Sequence, residues 1–221
     1  MPTELDVRSL VDAVTRALRD RILRGDLPAG AAVTEKLISE EFSVARPTAK
    51  AAVERLVFDG LLRRQANKTA RVPVLTVDEV RDLYFSRALV ECGAMWTAAE
   101  RGHVPDEARL ALERFDLAFA RGDVSAVVEA DVEFHKSFVD SIDSSRVSKM
   151  YDSLMAEFHL CVARVQLLGR LDRARLAREH AAIVAAVEAT DPERAVAELD
   201  AHISGARDRI VGVYAEDAPA S

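Results

Sequence analysis

The sequence predicts a mainly α chain: a short helical unit closed by a strand hairpin in front, then an antiparallel all-helical bundle. Three observations predict it. Ala, Leu, Val, Arg, Glu and Asp dominate the 221 residues while aromatics make up only 5%, a balance that favours helix over strand. Apolar residues recur at spacings of three and four over most of the chain. The breaks between those stretches are short and carry Gly, Pro or Asp. With 49% hydrophobic and 30% charged residues there is ample material for a core. No apolar run approaches the ~20 residues of a membrane span, and MPTELDVRSL at the N-terminus has no apolar signal region. Cys92 and Cys161 lie in apolar helical patterns, away from metal-ligand spacings. Free thiols in a reducing cytoplasm, and no membrane partner, are the expectation.

Taken in order, Val7, Leu10, Val11, Val14, Leu18 and Ile22 form one stripe of a helix over Val7–Arg24, ended by Gly25, Pro28 and Gly30. A short helix, 35–41, follows with Thr34 as N-cap. The stretch SVARPTAKAAVERLVFDGLL (43–62) is one helix over 46–59. Its apolar stripe is Ala49, Val53, Leu56 and Val57, its cations gather in the first turns, and Gly60 sits at the left-handed C-cap. Pro47 is tolerated in the first turn, where its missing N–H costs little. Helix, tight turn and basic-fronted helix make a helix-turn-helix candidate. Leu61–Arg64 and Ala70–Val74 read as strands around Gln65–Thr69. That hairpin makes a wing, whose Lys68 and Arg71 would reach backbone or minor groove; the plainer alternative is a structural hairpin.

The net charge of −7 hides an asymmetry. Residues 1–75 hold 13 Lys and Arg against 10 Asp and Glu, and 43–72 hold 7 against 2, whereas the remainder holds 17 against 27. Phosphate binding needs a local basic surface rather than a basic protein. Composition therefore leaves DNA binding open for the front half only.

The expected organisation is a winged helix-turn-helix over 1–72, a linker over 73–77, a helical domain over 78–215 and a frayed tail from 216, with fraying setting in near Ala215. Thr76-Val-Asp-Glu79 is a capping box opening the second domain. Helices are expected at about 77–101, 105–121, 124–141, 145–168, 172–189 and 192–214, the last opened by Asp191-Pro192.

Four residues of that half form a constellation. Asp131 and His135 are one turn apart on one helix face. His180 and His202 each lie eleven residues from Asp191, so an antiparallel hairpin sets them level with one another. Asp131, His135, His180 and His202 can then converge inside a bundle, and three imidazoles with one carboxylate suit zinc or nickel ahead of manganese or iron. The alternative is a surface Asp–His pair and unrelated core histidines. His103, in a break, and His159 have no such partners. HExxH, glycine-rich phosphate loops and GxSxG are absent from the sequence, so catalytic residues are not assigned. A metal-dependent enzyme acting on a small acid and a regulator with a purely structural metal are the rival readings.

Both halves resemble the GntR transcription regulators, in the FadR-type branch with an FCD ligand-binding domain. The residues carrying the resemblance in front are Gly25-Asp-Leu-Pro-Ala-Gly30, Val33-Thr-Glu, Val44-Ala-Arg46-Pro-Thr-Ala-Lys50 and Leu56–Leu62. Behind, they are Asp131-Val-Glu-Phe-His135, Glu179-His180, Ala201-His202-Ile203 and Tyr84-Phe-Ser-Arg87. The resemblance implies a homodimer on double-stranded operator DNA, with Arg46, Lys50 and, more weakly, Thr48 among the contacts. It implies a divalent metal on the Asp131, His135, His180 and His202 set. It also implies that Arg87 grips a small carboxylate effector, the plainer role for Arg87 being an ion pair with Glu91. Six helices fit the shorter, VanR-like form of the domain. Ala45, Lys50, Ala51 and Thr69 stand where the family favours Ser, Arg, Glu and Gly, so the operator is expected to be the chain's own.

Overall fold

The computed structural model describes residues 7–65, 68–167 and 172–216. The chain divides into two compact units, Met1–Val74 and Leu75–Ser221. In the first, helix α1 (Val7–Leu23) and helix α2 (Glu35–Glu41) both pack on helix α3 (Arg46–Phe58). Val14, Leu18 and Ile22 of α1, Ile38 of α2 and Ala49, Val53 and Leu56 of α3 are buried together. The Thr34 hydroxyl caps α2 by accepting from the Leu37 N–H at 3.2 Å. The turn into α3 passes through Ser43, a non-glycine residue at φ 51. Ser39 Oγ pins that turn by donating to the Val44 carbonyl at 2.7 Å. Ala45 leaves the N-terminus of α3 without a side-chain cap, and Gly60 (φ 81) closes its far end.

The sheet departs from the expected hairpin. Strand β1 (Ala32–Val33) pairs antiparallel with strand β2 (Ala70–Arg71), in register Ala32 to Arg71 and Val33 to Ala70. Leu61–Arg64 contributes one bridge only, Arg63 to Arg71. The reason is burial. Leu61 and Leu62 are consecutive and both fully inside, whereas a strand must turn neighbours to opposite faces. Pairing therefore starts at Arg63, and Pro73, with no N–H to give, does not extend β2. The tip positions 66 and 67, including Asn67, lie outside the described residues.

The second unit holds helices α4 (Val77–Glu100), α5 (Asp106–Arg121), α6 (Val124–Asp140), α7 (Ser145–Leu167), α8 (Arg173–Glu188) and α9 (Pro192–Glu216) among the described residues. All but α5, which Pro105 opens without a side-chain cap, start where the sequence offers an acceptor to orphan amides. Thr76 and Glu79 form the capping box of α4, and Asp123, Asp172 and Asp191 accept from Ala126, Arg175 and Arg194. Helix α9 runs on through Ala215 to Glu216; residues 217–221 and the expected break at Gly169–Arg170 lie outside the described residues. Helix α4 packs on α9, α6 on both α5 and α7, and α8 on α9, with α4 also touching α6, α7 and α8. Helices α4, α6, α8 and α9 thus surround one polar patch inside the bundle. Among the described residues, no helix is long and apolar enough to cross a membrane.

Candidate functional site

That patch is histidine-rich. His135 of α6, His180 of α8 and His202 of α9 are 2%, 1% and 4% exposed, and one ligand atom from each lies within 4.8 Å of the others. Asp131, one turn before His135, places Oδ1 3.6 Å from His180 Nε2. Donor atoms sharing one cation at ~2.1 Å sit about 3.0–3.4 Å apart, so a contraction of at most about 1.4–1.8 Å would seat an ion. Both ring nitrogens of His135 and both of His180 are buried without a hydrogen-bond partner. Each orphan costs about 1–3 kcal/mol, and a cation taking the one lone pair that each neutral ring offers removes that penalty at one nitrogen of each. Burial first, then His202 and His135, push the His180 pKa well below its ordinary value. The ring is therefore neutral, the form that ligates.

Two carboxylates stand behind the imidazoles. Glu179 Oε2 lies 2.8 Å from His202 Nδ1, a contact that fixes Nδ1 as the protonated nitrogen and leaves Nε2 for the cluster. Burial would raise the Glu179 pKa, but His202 and Arg175 outweigh it and hold it down to about 2. Glu91 Oε2 lies 2.8 Å from His135 Nδ1, off the line a hydrogen bond needs. Glu91 Oε1 accepts from Arg87 Nε at 2.7 Å and from the Tyr151 hydroxyl at 2.8 Å. Burial again opposes ionisation, and Arg87, then His135, hold Glu91 well below the usual carboxylate range.

Arg87 is 1% exposed, so its pair with Glu91 is a buried one rather than a solvated surface pair. Its guanidinium lies over the Phe158 ring at 3.6 Å, and its Nη2 has no partner. Arg87, Asp131 and His202 open onto one cavity of about 40 Å³, together with Tyr84, Phe158 and Arg209. Burial raises the Tyr84 pKa, so its hydroxyl stays a proton donor, and it too is unpartnered. The structure thus brings the sequence-predicted Arg87 to the cavity that Asp131 and His202 line. Sequence reasoning passed over Glu179 and Tyr84, and weighed Glu91 only as a pairing partner. Glu179 had a signal, since it precedes His180 and lies level with Ile203 across the hairpin. Tyr84 and Tyr151 had none. His103 is exposed and His159 is buried in α7, both away from the cluster.

In the first unit, Arg46 and Lys50 are exposed in the first turns of α3, Lys50 near Glu54 at 3.7 Å. Thr48 is turned inward, 6% exposed, and burial withdraws it from the candidate DNA face. Lys68, beyond the bridge, and Arg71, within it, are exposed, and Arg71 Nη1 donates to the Gly30 carbonyl at 2.8 Å, which holds the wing base.

A helix-turn-helix with an exposed basic first turn, followed by a helical bundle with a buried ligand-type site, defines a transcription regulator. Two family descriptions match: bacterial regulatory proteins of the gntR family over residues 10–72, and the FCD domain over 82–205. The chain belongs to the GntR family, in its FadR-type branch with an FCD domain, and is a regulator rather than an enzyme. It is similar to the gluconate operon transcriptional repressor of Bacillus subtilis, at 25% identity over 91% of this chain and 85% of that one. It is also similar to a probable D-xylose utilization operon transcriptional repressor of Paenarthrobacter nicotinovorans, at 28% identity over 83% and 80%. The crystal structure of a candidate GntR regulator from Rhodococcus sp. RHA1 superposes with TM-score 0.80 at 26% identity, covering 93% of this chain and 99% of that one.

Proposed function

We propose that this chain is a cytoplasmic homodimeric repressor whose grip on operator DNA is set by a small carboxylate bound beside a divalent metal in the helical domain. One observation carries the reading: the buried His135, His180 and His202 converge, the first two with ring nitrogens that make no hydrogen bond, and His202 lines a cavity together with Asp131 and Arg87. Asp131, His135, His180 and His202 would hold the ion, and their donor chemistry suits zinc or nickel. When bound, that ion supplies a Lewis-acidic attachment point for a carboxylate oxygen. Arg87 Nη2 and the Tyr84 hydroxyl would donate to the acid, while Glu91 holds Arg87 and Glu179 holds the His202 ring in place. Phe85 and Leu89, 63% and 66% exposed on α4, continue towards Trp96 as an apolar stripe that suits a two-fold contact. Residues 1–72 would read the operator through Arg46, Lys50, Lys68 and Arg71, joined by 73–77 to an effector domain over 78–215. The relatives named as repressors of gluconate and D-xylose operons support repression.

The test is elemental analysis of the purified chain and of a His180→Ala/His202→Ala variant, with operator binding measured against a panel of small acids. The intact chain should carry about one metal ion per protomer and respond to an acid, and the variant should lose both. Loss of metal with the acid response kept would make the metal structural. No metal in the intact chain, after loading with zinc or nickel, would sink the reading.

A further inference from the structure

The cavity has a second cationic end that the metal and Arg87 do not use. Helix α9 presents His202, Ala206, Arg209 and Ile210 to it, one face at spacings of four, three and one. Helix α8 adds Arg175 and Leu176. The two arginines meet over Gly205. A Cβ placed there would lie 2.8 Å from Arg175 Nη2 and 3.2 Å from Arg209 Nη1, so both guanidiniums rest on the same bare patch of backbone. Glycine weakens a helix interior, and this one is explained by the room it leaves for that pair.

The pair is not neutralised evenly. Arg175 gives its Nε to Glu179. Arg209 has no carboxylate in ion-pair contact among the described residues, and its Nη1 is buried with no hydrogen-bond partner. Burial, then Arg175, pull the Arg209 pKa below its ordinary value, which shows the direction of the unrelieved repulsion. Asp172 also lines this end, but one of its oxygens is taken by the Arg175 N–H as the cap of α8. An anion seated between the two arginines would satisfy Nη1 and relieve the like charges, a task suited to planar guanidinium donors.

We infer that the effector is a short acid with two anionic groups, the first at the metal and Arg87, the second between Arg175 and Arg209 beside Gly205. This rests on the metal–carboxylate reading above and adds the class of acid to it. Arg209 follows His202 by seven residues, ~10 Å along α9 at ~1.5 Å per residue, and helical side chains lean back toward the N-terminus, which shortens the span. A dicarboxylate of about four to six carbons has the length for such a gap, and the cavity of about 40 Å³ must widen, by movement of side chains such as Arg175 and Arg209, to admit it. A phosphorylated small acid presents the same two-anion chemistry.

The experiment is calorimetry on the metal-loaded full chain with butyrate, succinate, glutarate and 3-phosphoglycerate. A doubly anionic acid should bind at least about tenfold more tightly than butyrate, the worth of one charge-assisted contact. In Arg209→Met that gap should close to within about twofold, and Arg209→Lys should keep part of it. Gly205→Ala retains both arginines but intrudes on them, and should narrow the gap as well. Metal content and circular dichroism report whether each variant is folded. Preference for the phosphorylated acid over both dicarboxylates would identify phosphate as the second group. If butyrate binds the intact chain as tightly as the doubly charged acids, or Arg209→Met and Gly205→Ala both keep the gap while folded, the second subsite is overturned and the metal–carboxylate reading stands. If no acid binds the metal-loaded chain, that reading fails and takes this inference with it.

Discussion

Glu91 shows how one buried side chain serves several partners. It neutralises Arg87, accepts from Tyr151 and faces His135, all in a place that water does not reach. Replacing Glu91 by Gln would leave the Arg87 charge buried without a counter-charge, a change that costs about 3–5 kcal/mol. The expected outcome is a urea midpoint shifted far down, with tighter packing elsewhere unable to compensate; a midpoint within error of the parent would show that the pair is not what holds α4 here. Glu179→Gln is a milder change, because Glu179 is partly exposed and acts by orienting His202. It should weaken metal binding about 10- to 100-fold while leaving the fold intact, as read by competition with a chelator. Cys161 gives a pH-dependent case. Burial pushes its thiol up to about 12, so the unfolded chain ionises first as pH rises through the ordinary thiol range, and that difference lowers stability there. Native protein at pH 8 should therefore resist iodoacetamide at Cys161 until denaturant is added, by mass spectrometry of the labelled peptide. The histidines were legible in the sequence because helical spacing and equal distance from a turn are rules of one and two dimensions. The buried pairing of Arg87 was not, since i,i+4 spacing is the same for a surface pair and a core pair.

Among the elements, helix ends were the most readable. Thr34, Thr76, Asp123, Asp172 and Asp191 all accept from amides of the helices they open, and such caps are written in single residues. The wing hairpin was readable in outline, but its partner strand β1 was not, because β1 is two residues drawn from a turn-rich stretch and no periodicity exists at that length. Helix α3 lacks a cap at Ala45, and that absence makes a prediction. Ala45→Ser should stabilise the first unit by about 1 kcal/mol by giving the α3 amides an acceptor, measured as a raised denaturation midpoint. An unchanged midpoint would mean that solvent already satisfies those amides.

At the scale of the whole molecule, the question is how many recognition helices meet the operator at once. Two cations of α3, Arg46 and Lys50, are exposed where a helix would enter a major groove. Each phosphate neutralised by a side chain contributes about 0.9 to the slope of log affinity against log salt. Removing both cations from a single bound copy should therefore flatten that slope by about two, and from a two-fold dimer by about four. Fluorescence anisotropy of the parent and of Arg46→Ala/Lys50→Ala on the same operator, across a salt series, separates these outcomes. A change of about four fits two copies presenting the same helix to successive grooves. A change of about two would leave one copy on the DNA, and no change would remove α3 from the phosphate backbone altogether. The same titration repeated with the bound acid adds a thermodynamic constraint. Whatever factor the acid takes from operator affinity, the operator must take from acid affinity, because both ligands draw on one coupling free energy. Unequal factors would mean that the acid acts on assembly as well as on the orientation of the DNA-reading helices.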